Sequence, residues 1–127
     1  MRKHVNSNEV PEVLFHKDLG FPHHINLPTF GYCLQYGSHA RKEALEDRYG
    51  SIELPKFVRL YEADIVEIGV QCGTRLSKVV ARQKHCNNFD IVIVFNPADG
   101  FVRTVWLNHK NDSHKTLDET KYKKVLH

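Results

Sequence analysis

Two apolar runs in the C-terminal third restrict the fold of this chain more than any other feature. The segments DIVIVFN (90–96) and FVRTVWLN (101–108) are separated by a short stretch that contains Pro97, Asp99 and Gly100. Runs rich in β-branched and aromatic residues on either side of such a turn are typical of a β-hairpin. The polar cluster HKNDSHKT (109–116) follows directly, so histidines and lysines are expected at one end of a sheet.

The residues before this hairpin predict further strands and one helix. Segment 65–70 alternates with Val66, Ile68 and Val70 expected to point inward, and segment 76–84 predicts a second strand after a turn at 72–74. Residues 38–49 predict a helix because Ser38 suits an N-cap and Gly50 suits a C-terminal stop.

The predicted elements define a fold class. Helix 38–49 is expected to pack on the sheet through Ala44 and Leu45. The final strand is expected to place Thr104 and Trp106 on the same side as Val102. We therefore predict an α+β fold, in which an N-terminal helical and loop part precedes a twisted antiparallel meander sheet of about four strands.

Length and composition set the class of protein. The 127 residues predict a single domain, 1–127, whose first eleven residues form a flexible arm. The net charge of +3 permits nucleic-acid binding without requiring it. Three cysteines without short spacing argue against a disulfide framework and a zinc ribbon, and no signal peptide or membrane-length apolar run is visible. We expect a cytoplasmic protein with reduced thiols and no membrane partner.

Several side chains suit RNA cleavage without a metal. This reaction needs a base, an acid, cations for the phosphorane and a flat surface for a neighbouring base. His39 (with Glu43 one turn on), His109 and His114 are candidates for proton transfer. Cations and aromatic rings are available on residues Arg82, Arg103, Lys110, Lys115, Trp106 and Tyr36.

Other interpretations of the same residues stay open. Trp106 also suits a core position, the cluster around His114 also suits a hydrogen-bonded turn, and His39 also suits a plain helix surface. The histidine spacing matches neither H-E-x-x-H nor a Cys/His zinc site, and no nucleotide-binding glycine motif or G-x-S-x-G is present. The sequence therefore predicts no metal and no cofactor.

The helix region and the later strands together resemble a known fold family. The segment YGSHA (36–40), followed by Arg41 and Arg48 and then by strands ending DIVIVF…DGFVRTVWLN, resembles the barnase–EndoU–colicin–RelE type of ribonuclease fold. It is most similar to small phage and toxin-domain members with a His-Ala-x-x-Arg helix before a meander. The tail from Trp106 to Tyr122 also resembles the ends of such proteins, so residues 36–122 would be the ribonuclease-like core.

The resemblance implies a metal-independent endoribonuclease, phage-encoded or a toxin domain, that cleaves RNA through attack of the 2′-hydroxyl and a cyclic phosphate. His39 and His114 would transfer protons, and Arg82 and Lys115 would face the phosphate. Substrate contacts would come from Arg41, Arg48, Thr104, Trp106 and His109. The departure from the pattern is Glu43, where the helix motif often has arginine.

The alternative function is a non-catalytic small phage protein that binds a host protein or nucleic acid. In either case RNA, an inhibitor or a host protein is the expected partner, in the host cytoplasm if the protein is phage-encoded. Members of one fold include both enzymes and inactive binding proteins, so the fold alone does not decide between them.

Overall fold

The computed structural model describes residues 10–112 and 119–125. Short 3-10 turns lie at Lys17–Leu19 and Glu119–Lys121. The regular elements in chain order are β1 (Glu12–His16), β2 (Gly31–Cys33), β3 (Gln35–Tyr36), α1 (Ser38–Leu45), β4 (Phe57–Arg59), β5 (Asp64–Gln71), β6 (Arg75–Lys84), β7 (Phe89–Phe95) and β8 (Phe101–His109).

Most of these strands form one mixed sheet of six strands in the order β1-β5-β6-β7-β8-β3. All neighbours are antiparallel except β3 and β8, and β2 pairs with β4 in a separate two-stranded ribbon. The predicted fold class is therefore wrong, because the part before the meander contributes strands to both sheets. Strands β1 and β3 are short and gain their partners from β5 and β8, which local sequence patterns do not reveal.

Helix α1 is shorter than predicted and packs differently. It ends at Leu45, and the amide of Ile52 donates to the carbonyl of Ala44 at 2.8 Å, so the chain turns back into the core. Ala40 and Ala44 are the buried residues of the helix, whereas Leu45 is 71% exposed. The prediction that Leu45 packs on the sheet is wrong because positions 40 and 44 share the inward face.

The helix start and the helix end also differ from the sequence signals. Gly37 is the N-cap and makes no side-chain cap bond, so Ser38 is already inside the helix. At the other end the Asp47 carboxylate accepts from the amides of Tyr49 and Leu107, at 3.1 and 3.2 Å. The contact with Leu107 covers part of the β8 edge, which lacks a strand partner beyond Val102.

The β7–β8 hairpin is present as predicted, and Gly100 shows why its turn needs glycine. Gly100 has a φ of +75°, and a Cβ placed there would lie 2.1 Å from the carbonyl oxygen of Cys33. The Gly100 carbonyl also accepts from the amide of Gln35 at 3.0 Å. The turn thus fixes β3 beside β8 and brings α1 to the sheet.

Candidate functional site

The face of the sheet opposite the main core forms an open cleft of about 490 Å³. Its apolar floor consists of Val80, Val92 and Val94, with Trp106 packed against them. Polar side chains surround this floor and come from four strands and from the segment after residue 118; they are His16, Glu67, Lys78, Arg82, Arg103, Thr104, Lys121 and Tyr122. An apolar floor with a few converging polar groups is the usual form of a ligand site.

Register shifts explain how so many polar side chains reach one face. Strands β5 and β8 carry extra residues at Val66 and Arg103, where the pairing skips one position. Two consecutive residues then project to the same side, so Glu67 joins Val66 and Thr104 joins Arg103 in the cleft lining. The predicted alternation is wrong at these points, because Val102 and Val105 both lie in the core.

Glu67 is the centre of a charged cluster in the cleft. Its carboxylate lies 2.5 Å from Lys78 Nζ, accepts from the Tyr122 hydroxyl at 2.6 Å and lies 3.6 Å from Lys121 Nζ. The residue is only 6% exposed. Burial by itself raises the pKa of Glu67, but Lys78, Tyr122 and Lys121 outweigh it and hold the pKa below 4.5. Glu67 is therefore an ionised carboxylate at neutral pH.

His16 lies beside this cluster with a defined tautomer. Its ring meets the Tyr122 ring edge to face, with centroids 5.1 Å apart. The amide of Asp18 donates to His16 Nδ1 at 3.1 Å, whereas the Asp18 carboxylate is 3.8 Å from that nitrogen and beyond hydrogen-bond range. A neutral imidazole that accepts at Nδ1 carries its proton on Nε2. His16 therefore supplies an N–H donor to the cleft wall.

A second ion pair closes one end of the cleft. The terminal nitrogens of Arg103 bind the two oxygens of Glu12 at 3.0 and 2.9 Å and also the Ser77 carbonyl at 3.0 Å. Ser77 donates its hydroxyl to Glu12 as well. Burial raises the pKa of Glu12, but its hydrogen bonds with Arg103 and Ser77 more than offset this and lower the pKa below 4.5. Gly69 has no side chain there, which lets Glu12 lie across β5.

Arg82 lies at the opposite end, and its contacts are structural. Its Nε donates to Asp90 at 2.7 Å, and its terminal nitrogens donate to the carbonyls of Asp112 (2.5 Å) and His109 (3.0 Å). These bonds hold the turn that follows β8 against the sheet. Arg82 thus lines the cleft, with its guanidinium already bound to a carboxylate and to backbone oxygens.

The remaining predicted residues separate into two groups. Thr104 and Trp106 line the cleft with Arg82. His39 does not; its side chain is 76% exposed, and Nε2 lies 3.4 Å from the Glu43 carboxylate, which in turn accepts from the Thr104 hydroxyl at 2.8 Å. Glu43 therefore links His39 to the rim of the cleft without placing the imidazole inside it.

Neither Arg41 nor Arg48 lines the cleft. Arg41 donates to the Tyr36 carbonyl, and Arg48 stacks on the Tyr49 ring at 4.6 Å. A row of aromatic contacts continues from Tyr49 through Phe89 to His109, also outside the cleft lining. His114 and Lys115 lie outside the described residues, so the predictions for these two residues stay predictions.

Sequence reasoning missed five polar residues of the cleft: His16, Glu67, Lys78, Lys121 and Tyr122. Glu67 interrupts the apolar run of β5, and Lys78 interrupts the run of β6. Charged residues inside two neighbouring predicted strands were the available signal, because burying charge requires a partner. His16 carried no such signal, since its partners are distant in the sequence.

Comparisons of the chain with known proteins found no match. The chain matches no family model, no curated protein and no solved structure. Within residues 10–112 and 119–125, no three histidine, cysteine, aspartate or glutamate side chains converge as in a metal site. The same residues include no helix with the length and apolar character to cross a membrane.

Proposed function

We propose that the protein is a metal-independent endoribonuclease that cleaves single-stranded RNA in the cleft. The observation that carries the proposal is the ionised Glu67 carboxylate, held between Lys78 and Tyr122 beside an apolar floor that ends in Trp106. A carboxylate base, cations and an aromatic surface are the groups that attack by a 2′-hydroxyl requires.

In this mechanism Glu67 accepts the proton of the 2′-hydroxyl. Glu67 is ionised at neutral pH and can therefore accept the proton, although its lowered pKa makes it a weaker base than an unperturbed carboxylate. The nucleophilic oxygen then bonds to phosphorus while the bond from phosphorus to the 5′-oxygen breaks. The base of the attacking nucleotide would stack on Trp106 over the valine floor.

His16 is a hydrogen-bond donor to the leaving 5′-oxygen, and water supplies the proton that this oxygen takes up. Its Nε2 carries the proton because Nδ1 accepts the amide of Asp18, and the ring contacts Tyr122, which binds Glu67. Glu67 and His16 would therefore both contact the reacting phosphodiester. This assignment uses Glu67 and His16 where the sequence suggested His39 and His114; the imidazole of His39 lies outside the cleft, and His114 lies outside the described residues.

Two cations would stabilise the charge that develops on the phosphate. Lys121 is half exposed and reaches the Glu67 carboxylate only at 3.6 Å, so its ammonium can turn towards a bound anion. Arg103 engages Glu12 and Ser77 through its terminal nitrogens, which leaves Nε–H for a phosphate oxygen. Positioned donors of this kind typically contribute about 10²–10³-fold in rate.

The test is a time course on end-labelled RNA and on DNA of the same sequence, both in EDTA. We expect cleavage of RNA alone, a 2′,3′-cyclic phosphate on the upstream product, and a loss of about 10²–10⁴-fold in Glu67→Gln. Glu53→Gln, at an exposed position outside the cleft, is the matched control and should retain full activity. Cleavage of DNA, or an active Glu67→Gln protein, would contradict the mechanism.

One observation favours a second candidate, binding without cleavage. Lys78, Arg82 and Arg103 are each already paired with a carboxylate, so a phosphate must compete for them. A protein that binds nucleic acid or a host protein at this surface would leave those pairs intact. Salt-dependent binding of RNA that is recovered intact, by wild-type protein in the same assay, would favour this candidate.

A further inference from the structure

A second concave surface lies beyond the Arg82 end of the cleft. This groove has a volume of about 380 Å³ and is lined by Lys56, Phe57, Arg59, Glu62, Gln83 and Lys84. A shallow trough joins it to the cleft: the trough shares Val66 and Arg82 with the cleft, and Gln83 and Lys84 with the groove. Lys84 lies two residues after Arg82 on β6, about 7 Å along the strand. The groove therefore continues the surface on which a chain in the cleft would lie.

The cations of the groove differ from those of the cleft. Lys56, Arg59 and Lys84 are exposed, and none of their side chains forms an ion pair or hydrogen bond with another residue in the described part of the chain. Among the described residues, Glu62 is the only carboxylate that lines the groove with them. The groove therefore has an excess of positive charge that the folded chain does not neutralise.

Phe57 gives the groove an aromatic surface. A Cβ placed at Gly31 would lie 2.0 Å from Phe57 Cε1, so the ring lies directly on the backbone of the neighbouring strand. The residue is nonetheless 45% exposed. A ring that is held in place and open to solvent is suited to stacking with a nucleic-acid base, which every base permits.

We propose that the groove binds the single-stranded RNA that extends out of the cleft. Unneutralised lysines and an arginine match a phosphate backbone, Phe57 matches an unpaired base, and the trough makes the path continuous. The inference rests on the proposed function for the identity of the ligand. It adds that the substrate is a strand of several nucleotides, whose binding depends on residues remote from the reacting phosphate.

The first measurement is binding of a fluorescent 12-nucleotide RNA with 2′-O-methyl groups, which lacks the nucleophile and stays intact. Substituting Lys56→Ser and Lys84→Ser together should weaken binding and reduce the slope of log affinity against log salt by about 1.4, because two phosphate contacts are lost. The double variant Lys42→Ser/Lys123→Ser removes the same charge from exposed positions outside the groove and should leave the slope unchanged.

The second measurement isolates the aromatic ring. Phe57→Leu keeps an apolar side chain against Gly31 but removes the stacking face, and it should weaken binding about fivefold or more. Tyr61→Leu is the control, since Tyr61 is 65% exposed and does not line the groove. Two results would overturn the proposal: equal effects of the two leucine variants on binding, or a salt slope that the Lys56→Ser/Lys84→Ser variant does not change. Either result would indicate that the groove binds another partner, such as an acidic protein.

Cleavage of a dinucleotide separates this inference from the proposed function. A dinucleotide fills the cleft alone, so the groove variants should cleave it at the wild-type rate while they bind the 12-mer more weakly. A wild-type protein that cleaves no dinucleotide, but whose 12-mer binding still depends on Lys56, Lys84 and Phe57, would refute the endoribonuclease and support the groove. Normal cleavage of the dinucleotide, together with 12-mer binding that the groove variants do not change, would support the endoribonuclease and refute the groove.

Discussion

Two sites in the cleft contain ion pairs of similar burial but different surroundings. At the Glu67 site, the carboxylate is bound by the side chains of Lys78, Lys121 and Tyr122. At the Arg82 site, the guanidinium is bound by Asp90 and by carbonyls of the turn that follows β8. Backbone acceptors fix a geometry, whereas side-chain partners can exchange with a ligand. The comparison indicates a structural role for Arg82 and agrees with the chemical role that we propose for Glu67.

Replacing Arg82 should give the largest loss of stability. Arg82→Ala removes the ion pair with Asp90 and the hydrogen bonds that Arg82 donates to the carbonyls of His109 and Asp112, so the free energy of unfolding should fall by about 3–5 kcal/mol. Urea denaturation followed by circular dichroism measures this. Lys84→Ala, exposed on the same strand, is the control and should change stability by less than about 0.5 kcal/mol. Equal free energies of unfolding for Arg82→Ala and Lys84→Ala would contradict the structural role of Arg82.

Removing one hydroxyl tests the Glu67 site more finely. Tyr122→Phe deletes the hydrogen bond to Glu67 and keeps the ring against His16, so stability should fall by about 1.5–3 kcal/mol. Under the proposed mechanism the pH profile of RNA cleavage should also shift its acid limb upward, since Glu67 loses a bond that favours its charged form. A profile whose maximum cleavage rate falls, but whose acid limb stays at the same pH, would show that Tyr122 only supports the fold.

Acid titration gives a smaller effect with a definite sign. The folded-state pKa of Glu67 lies below 4.5, so its contribution to stability is complete above that pH and is lost as the pH falls through the folded value. In Glu67→Gln this part of the decline should be absent, and the curve of unfolding free energy below pH 4.5 should be flatter than in the wild type. Parallel curves for the two proteins would contradict the lowered pKa.

Lys121 should matter least for stability. Its side chain is half exposed and its ammonium lies 3.6 Å from Glu67, so Lys121→Ala should cost about 0.2–1 kcal/mol. If the proposed catalytic role is correct, RNA cleavage should fall by a much larger factor than this stability change. A variant with wild-type cleavage would leave Arg103 as the cation that stabilises the phosphate.

The sequence predicted the centre of the sheet well because its signals are local. Strands β6, β7 and β8 begin and end within about one residue of the predicted segments, and the turn at Gly100 forms as expected. The edge strands β1 and β3 were not placed in the sheet, because a short strand depends on partners that lie far along the chain. The helix was recognised, but its end is set by the contacts of Asp47 and Ile52 with other elements.

The candidate site was only partly predictable for a related reason. Period-two alternation correctly put Thr104 and Trp106 on one face, yet the extra residue at Arg103 brought that arginine to the same face and left Val102 in the core with Val105. A bulge leaves little trace in a single sequence, so alternation wrongly placed Val66 with Ile68 and Val70, whereas Val66 lines the cleft beside Glu67. His39 was chosen from its motif, and the short helix leaves it on the outer surface.

The ion pair between Glu12 and Arg103 has a consequence for the order of folding. These residues are 91 positions apart, and Tyr122 is 55 positions from Glu67. Closing such long loops is slow, since chain entropy must be lost before the contacts form. The hairpins β5–β6 and β7–β8 need only near neighbours and can form early. The cleft is therefore assembled late, and a chain whose sheet is half formed has a core but no binding surface.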